Sequence, residues 1–102
     1  MTLLSLITVC KDDIAHLKET LSSFPLDHPQ IEIIIKDGLS GDGISEWVNS
    51  LQSHNVKFVA SEDNGIYDAM NQAVSYCNGA YVWFINSGDV LCHEHLNQLL
   101  EL

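Results

Sequence analysis

The segment from Ile31 to Lys36 carries isoleucine at four of six positions. A strand apolar on both of its faces needs cover on both, which helical crossovers supply and a hairpin sheet with one wet face does not. The rest of the chain supplies those crossovers. A first strand runs from Leu3 to Cys10, and a helix from about Asp13 to Ser23 places Ile14, Leu17, Leu21 and Phe24 at helical spacing. Asp12 or Asp13 is its expected cap. A second helix starts near Gly43 with Ile44, Trp47, Val48 and Leu51 on one side. The third strand is Val56 to Ala60, and its helix spans Gly65 to Cys77. There Ile66, Ala69, Met70, Ala73, Val74 and Cys77 form the expected buried stripe. Asn78-Gly79 would end this helix in the left-handed conformation that both residues tolerate. A fourth strand, Tyr81 to Ile85, precedes a last helix from His93, with Leu96, Leu99 and Leu100 facing inward. Alternating strands and helices of these lengths predict right-handed crossovers and a parallel sheet. The expected fold class is α/β, a Rossmann-like sheet of four parallel strands with helices on both faces, formed by residues 1–102 as one domain.

Charge narrows the function. The chain has 14 acidic residues against four lysines and no arginine, a formal net charge of -10. That argues against nucleic acid, whose binding rests on Lys/Arg contacts to phosphates, and against electrostatic docking on an anionic membrane. An acidic chain can still hold a phosphate if a divalent cation or a helix N-terminus supplies the positive charge. Cys10, Cys77 and Cys92 form no C-x-x-C pair, and buried reduced thiols are the expectation for the first two. The apolar N-terminus lacks a basic leader region, and no run approaches the ~20 apolar residues of a membrane span. The expected location is cytoplasmic, either free or peripheral at the inner membrane.

Polar residues able to do chemistry gather just past the strands: Lys11 and Asp12 after the first, Asp37 after the second, Ser61 to Asn64 after the third, Asn86 to Asp89 after the fourth. In an open α/β sheet, ligands bind outside the carboxyl ends of the strands. Every such loop also needs polar capping residues, and Asp serves well there. Asp37-Gly38-Leu39-Ser40-Gly41-Asp42-Gly43 is glycine-rich but fits neither a dinucleotide fingerprint nor a P-loop. Ser40 and Asp42 are expected to cap the helix that follows. Asp68, one turn into the third helix, is explained by the positive helix N-terminus alone. His93 and His95 are two residues apart and diverge on a helix, so they do not form a shared metal site.

Two segments are more specific together than any single residue in them. Glu62-Asp63-Asn64-Gly65-Ile66-Tyr67-Asp68-Ala69-Met70-Asn71 and Ala80-Tyr81-Val82-Trp83-Phe84-Ile85-Asn86-Ser87-Gly88-Asp89 resemble the nucleotide-sugar glycosyltransferases of family two, which have the GT-A fold. The resemblance covers nearly the whole chain. It implies a truncated GT-A domain with strand order 3-2-1-4, holding a nucleotide-diphospho-sugar donor. It also implies site residues: Thr8, Val9 and Asp12 at the base and ribose, Asp37 at the nucleoside, and Glu62, Asn64, Gly65 and Asp68 on the nucleotide-facing rim. Asn86 and Ser87 lead to Asp89, the implied metal ligand, where the family writes D-x-D. Here Asn86 replaces the first acid. With no arginine to neutralise a diphosphate leaving group, Mg²⁺ or Mn²⁺ is the implied cofactor.

The family's chemistry is transfer of a sugar from the activated donor to an acceptor during polysaccharide or glycoconjugate synthesis. In the family, this segment is only the nucleotide-binding half of a longer catalytic domain, and no residue here takes the role of the base. A non-catalytic nucleotide-sugar-binding remnant or subunit is therefore the alternative reading. A receiver-like domain fits worse, because the third strand leads into Ala60-Ser61-Glu62 where a phosphoacceptor Asp is needed. The fourth strand should form a sheet edge exposing Tyr81, Val82, Trp83 and Phe84, which favours a homo-oligomer or a partner chain.

Overall fold

Side-chain alternation along the two central strands decides the layering. The computed structural model of the chain describes residues 2–101. Its strands are β1 (Leu4–Cys10), β2 (Ile31–Asp37), β3 (Val56–Ala60) and β4 (Tyr81–Phe84). Its helices are α1 (Ile14–Ser22), α2 (Ile44–Ser50), α3 (Ile66–Val74) and α4 (His93–Leu100), each following the strand of the same number. The four strands form one sheet, ordered β3-β2-β1-β4, and every pairing is parallel. This is the expected α/β architecture and strand order.

Leu4, Leu6 and Cys10 of β1 and Ile31, Ile33 and Ile35 of β2 face one way. They pack with Leu17 and Leu21 of α1, Ile44 and Val48 of α2, and Leu96 of α4. On the opposite face Ile7 and Ile34 meet Ala73 of α3, with Val9 and Cys77 beside them. Three helices thus cover one face, and α3 alone covers the middle of the other. All seven residues of β2 are buried, which explains its apolar composition. No helix among the described residues is long and apolar enough to cross a membrane.

The stripe expected on the third helix is only partly buried. Ala69 and Ala73 are enclosed, but Ile66 is 50% exposed and Val74 44% exposed. Ala73 packs against Ile7 of β1 and Ile34 of β2, so small residues make the contact of α3 with the sheet. The helix also ends earlier than its pattern implied. After Val74 the backbone tightens into three-residue turns, with Ser75 N, Tyr76 N and Cys77 N donating to Gln72 O, Ala73 O and Val74 O. Neither Asn78 nor Gly79 has positive φ, so the left-handed cap expected there does not form. On the edge strand Tyr81, Val82 and Phe84 are exposed as expected, but Trp83, also expected to be exposed, packs against the larger core cluster.

Capping runs between loops instead of within them. Asp13 stands at the N-cap of α1 but makes no side-chain cap bond, and its Oδ1 instead meets His16 Nδ1 at 2.6 Å. The cap comes from the β2–α2 loop, where Asp42 Oδ2 accepts from Ile14 N at 3.0 Å. In the same clasp Gly41 N donates to Asp12 Oδ1 at 2.9 Å and Asp12 N donates to Ser40 Oγ at 2.6 Å. The expectation that Asp12 or Asp13 caps α1, and that Ser40 and Asp42 cap α2, is therefore corrected. The N-cap of α2 is Gly43, which has φ 85° and no side chain to offer. Asp42→Ala should lose about 1 kcal/mol, the usual worth of a helix cap. Chemical denaturation should show a lower midpoint at unchanged slope.

Candidate functional site

The strand order reverses between β1 and β4, so the loops after these two strands diverge and leave a crevice at the carboxyl edge of the sheet. Two adjoining cavities open along that edge. The first, of about 330 Å³, lies among Val9, Cys10, Lys11, Asp13, Asp63, Gly65, Ile66, Ala69, Asn86 and Ser87. Its wall is largely apolar, from the end of β1 and the first turns of α3. The second, of about 510 Å³, is polar and lies among Lys11, Gly38, Glu62, Asp63, Asn64, Asp68 and Gln72. Lys11 and Asp63 border both.

Among the residues expected at the site, Val9, Gly65, Asn86 and Ser87 line the first cavity, and Glu62, Asn64 and Asp68 line the second. Thr8, Asp12 and Asp37 line neither. Thr8 is buried, and its Oγ1 has no hydrogen-bond partner. Asp12 is committed to the clasp with Ser40 and Gly41. Asp37 is also buried; its Oδ2 accepts from Ser40 N at 2.9 Å, and its Oδ1 accepts from Ser40 Oγ. It shapes the turn that carries Gly38. Asp89 is exposed and borders a separate hollow with Trp83, Phe84 and Leu91. Its backbone N–H donates to Asn86 O at 2.9 Å, which ties it to the rim of the first cavity.

The loop between β3 and α3 is held by its own side chains. Asp68 Oδ2 accepts from Asn64 N at 2.8 Å and from Gln72 Nε2 at 3.0 Å. Gln72 Nε2 also donates to Glu62 O at 3.1 Å, while Ser61 Oγ donates to Gln72 Oε1 at 2.8 Å. Gly65, with φ 113°, turns the chain into α3 in a conformation that side-chain-bearing residues avoid. Beneath the loop, Lys36 Nζ forms an ion pair with Asp63 Oδ2 at 3.1 Å. The hydrogen bond from Lys36 is the main reason the Asp63 carboxyl lies below the usual carboxylate range, with Gly65 N adding to it against the effect of burial. The Cys10 thiol is pushed up to about 12, first by burial and then by the neighbouring Asp37. It stays protonated and inert, as its apolar setting predicts.

The sequence-based residue set left out Asp13, Lys36 and Asp63, and it gave Lys11 no role. An ionisable residue closing an apolar strand was the signal for Lys36, and Asp63 lies within the Glu62–Asn71 segment that carries the family resemblance; Asp13 had no signal beyond its place in a loop. Among the described residues no cluster of three or more His, Cys, Asp or Glu side chains could hold a metal ion unaided. A lone carboxylate such as Asp89 fits a hard cation that takes its remaining ligands from water and substrate phosphates, as Mg²⁺ commonly does.

The whole architecture recurs in solved structures. S. aureus TarS 1-349 superposes with a TM-score of 0.85 at 22% identity, over 98% of this chain and 32% of that one. The mannosyltransferase PcManGT from Pyrobaculum calidifontis, solved in complex with GDP-Man and Mn²⁺, gives 0.78 at 18% identity, over 91% of this chain and 30% of that one. An uncharacterized glycosyltransferase of Mycobacterium tuberculosis is 32% identical over 87 residues, 83% of this chain and 33% of its own. The chain spans about a third of the length of the curated relatives it matches. With residues 5–102 matching the family throughout, this chain belongs to glycosyl transferase family 2.

Proposed function

We propose that this chain forms the donor-binding portion of a glycosyltransferase that moves a sugar from a nucleotide-diphospho-sugar to an acceptor in polysaccharide or glycoconjugate synthesis. The observation that carries the reading is the pair of adjoining cavities along the carboxyl edge of the sheet, one largely apolar and one polar, sharing Lys11 and Asp63. In support, TarS has been solved with UDP-GlcNAc and PcManGT with GDP-Man and Mn²⁺. Val9, Ile66 and Ala69 offer apolar surface to the ring systems of a donor. Gly65 lets its backbone approach the donor closely, and the N-terminal turn of α3 turns a partial positive charge toward phosphate. Lys11 brings a full positive charge to both cavities.

Asn86, Ser87 and Asp89 would stand at the diphosphate, with Asp89 the carboxylate that holds Mg²⁺ or Mn²⁺. Such an ion, when bound, neutralises the charge that builds on the diphosphate as the glycosidic bond breaks. Asp12 and Asp37 act from behind, fixing the turns that bear Gly38 and Lys11 through their bonds to Ser40 and Gly41.

A thermal-shift titration of the chain with UDP-, GDP- and dTDP-sugars, each with Mn²⁺ and with EDTA, tests this. One nucleotide class should stabilise the fold by about 2.7 kcal/mol at a hundredfold excess over its dissociation constant. The part of that gain that depends on metal should vanish in Asp89→Ala. No shift with any donor would sink the reading.

A further inference from the structure

We infer that Lys36 is a positioning residue of the donor site: from beneath the β3–α3 loop it fixes Asp63 and cancels its charge, so that a diphosphate can enter cavities that other carboxylates also border. The inference rests on the donor reading above. Lys36 is fully buried, on the β2 face that packs under α3, where the strand's pattern calls for another isoleucine. A buried cation is costly unless paired, and this one is satisfied completely. Its Nζ donates to Asp37 O at 3.0 Å, Ser61 O at 2.7 Å and Asp63 Oδ2 at 3.1 Å. An ammonium has three donors and no acceptor, so none is left for a ligand, and Lys36 can act only through what it holds.

What it holds is the end of β3 and the one carboxylate common to both cavities. Asp63 lies over the β2–α2 turn, its Oδ2 only 3.0 Å from where a Cβ on Gly38 would be. Asp13 borders the first cavity, and Glu62 and Asp68 the second, while Lys11 is the only cation lining either. Charges a few ångströms apart at a protein surface interact strongly enough to change affinity severalfold. Without Lys36, the Asp63 charge would face an incoming diphosphate uncompensated.

Two substitutions should act in opposite directions. UDP and GDP, with uridine and guanosine as uncharged controls, are titrated into the wild-type chain, Lys36→Met, Asp63→Asn and the double variant at low salt. Lys36→Met should weaken the favoured diphosphate about tenfold and its nucleoside less than about twofold, the difference being electrostatic. Asp63→Asn should tighten the diphosphate by about threefold, and the double variant should recover most of the loss. Equal weakening of diphosphate and nucleoside by Lys36→Met would overturn the inference in favour of a purely structural lysine, as would no change at all. Weaker binding of both probes by Asp63→Asn would also overturn it, since Asp63 would then contact the ligand itself. Should Lys36→Met fail to fold, the sign of the Asp63→Asn effect still decides. A wild-type chain that binds neither UDP nor GDP is titrated with dTDP and thymidine in the same way, and failure with all three diphosphates overturns the donor reading and this inference with it.

Discussion

Gly79→Ala is expected to destabilise the chain by about 2–4 kcal/mol, because the added methyl has nowhere to go. A Cβ at Gly79 would sit 2.7 Å from Ser5 N and Oγ and 2.8 Å from Leu4 C. Those are mostly backbone atoms of a central strand, so no side chain can swing aside. The same approach lets Gly79 N donate to Ser5 Oγ at 3.0 Å, and a forced separation would break that bond as well. Thermal unfolding should register the change as a fall of roughly 10–20 °C for a domain of this size. A fall of only a degree or two would mean that the link from α3 to β4 relaxes freely. Gly41, with open space around its Cβ position, is the control and should accept alanine with little effect.

Glu32→Ala should cost about 2–4 kcal/mol, since it leaves several donors without their charged acceptor. The Glu32 carboxylate is buried at the sheet end opposite the cavities. It accepts from Ser5 Oγ, from Asn78 N and from Lys57 Nζ, the last at 3.0 Å. Burial alone would raise its pKa; the bonds from Asn78 N, Ser5 Oγ and Lys57 outweigh burial and hold it below the ordinary 4.5. The unfolded chain therefore takes up the proton first as pH falls. Stability supplied by Glu32 is present above that ordinary value and is lost as pH drops through the lower folded one. Asp63, lowered mainly by its bond from Lys36, adds a loss in the same direction. Unfolding free energy followed from pH 6 down to about pH 3 should decline in the wild type and decline less steeply in Glu32→Gln. Identical slopes would show that Glu32 is not the group responsible. Gly79 and Glu32 both act through Ser5, so their effects should not add.

Much of the architecture was legible in the sequence. A near-continuous apolar run and apolar side chains recurring at about 3.6 residues are local signals, and β2 and α1 carried them. The α3 stripe misled, because Ile66 and Val74 have helical spacing but stay about half exposed, while only Ala69 and Ala73 are enclosed. At the site, the loops after all four strands were expected along one rim, since a parallel sheet puts every strand's carboxyl end on the same edge. The role of each acid within those loops was not legible. Asp42 caps α1 from 28 residues away, Asp37 turns inward onto Ser40, and Asp89 borders a hollow of its own.

The sequence by itself determined the order of elements and a parallel sheet, because periodicity needs no knowledge of distant neighbours, and its contiguous motifs carried the family resemblance that implied the 3-2-1-4 order. Only the tertiary structure decided that Gly79 is required by its contact with Ser5, that Asp42 caps a distant helix, and that Lys36 is spent on Asp63. A hydrogen bond or a steric clash is set by separation in space, and the chain places residues 25 and 74 positions apart within 3.0 Å of one another.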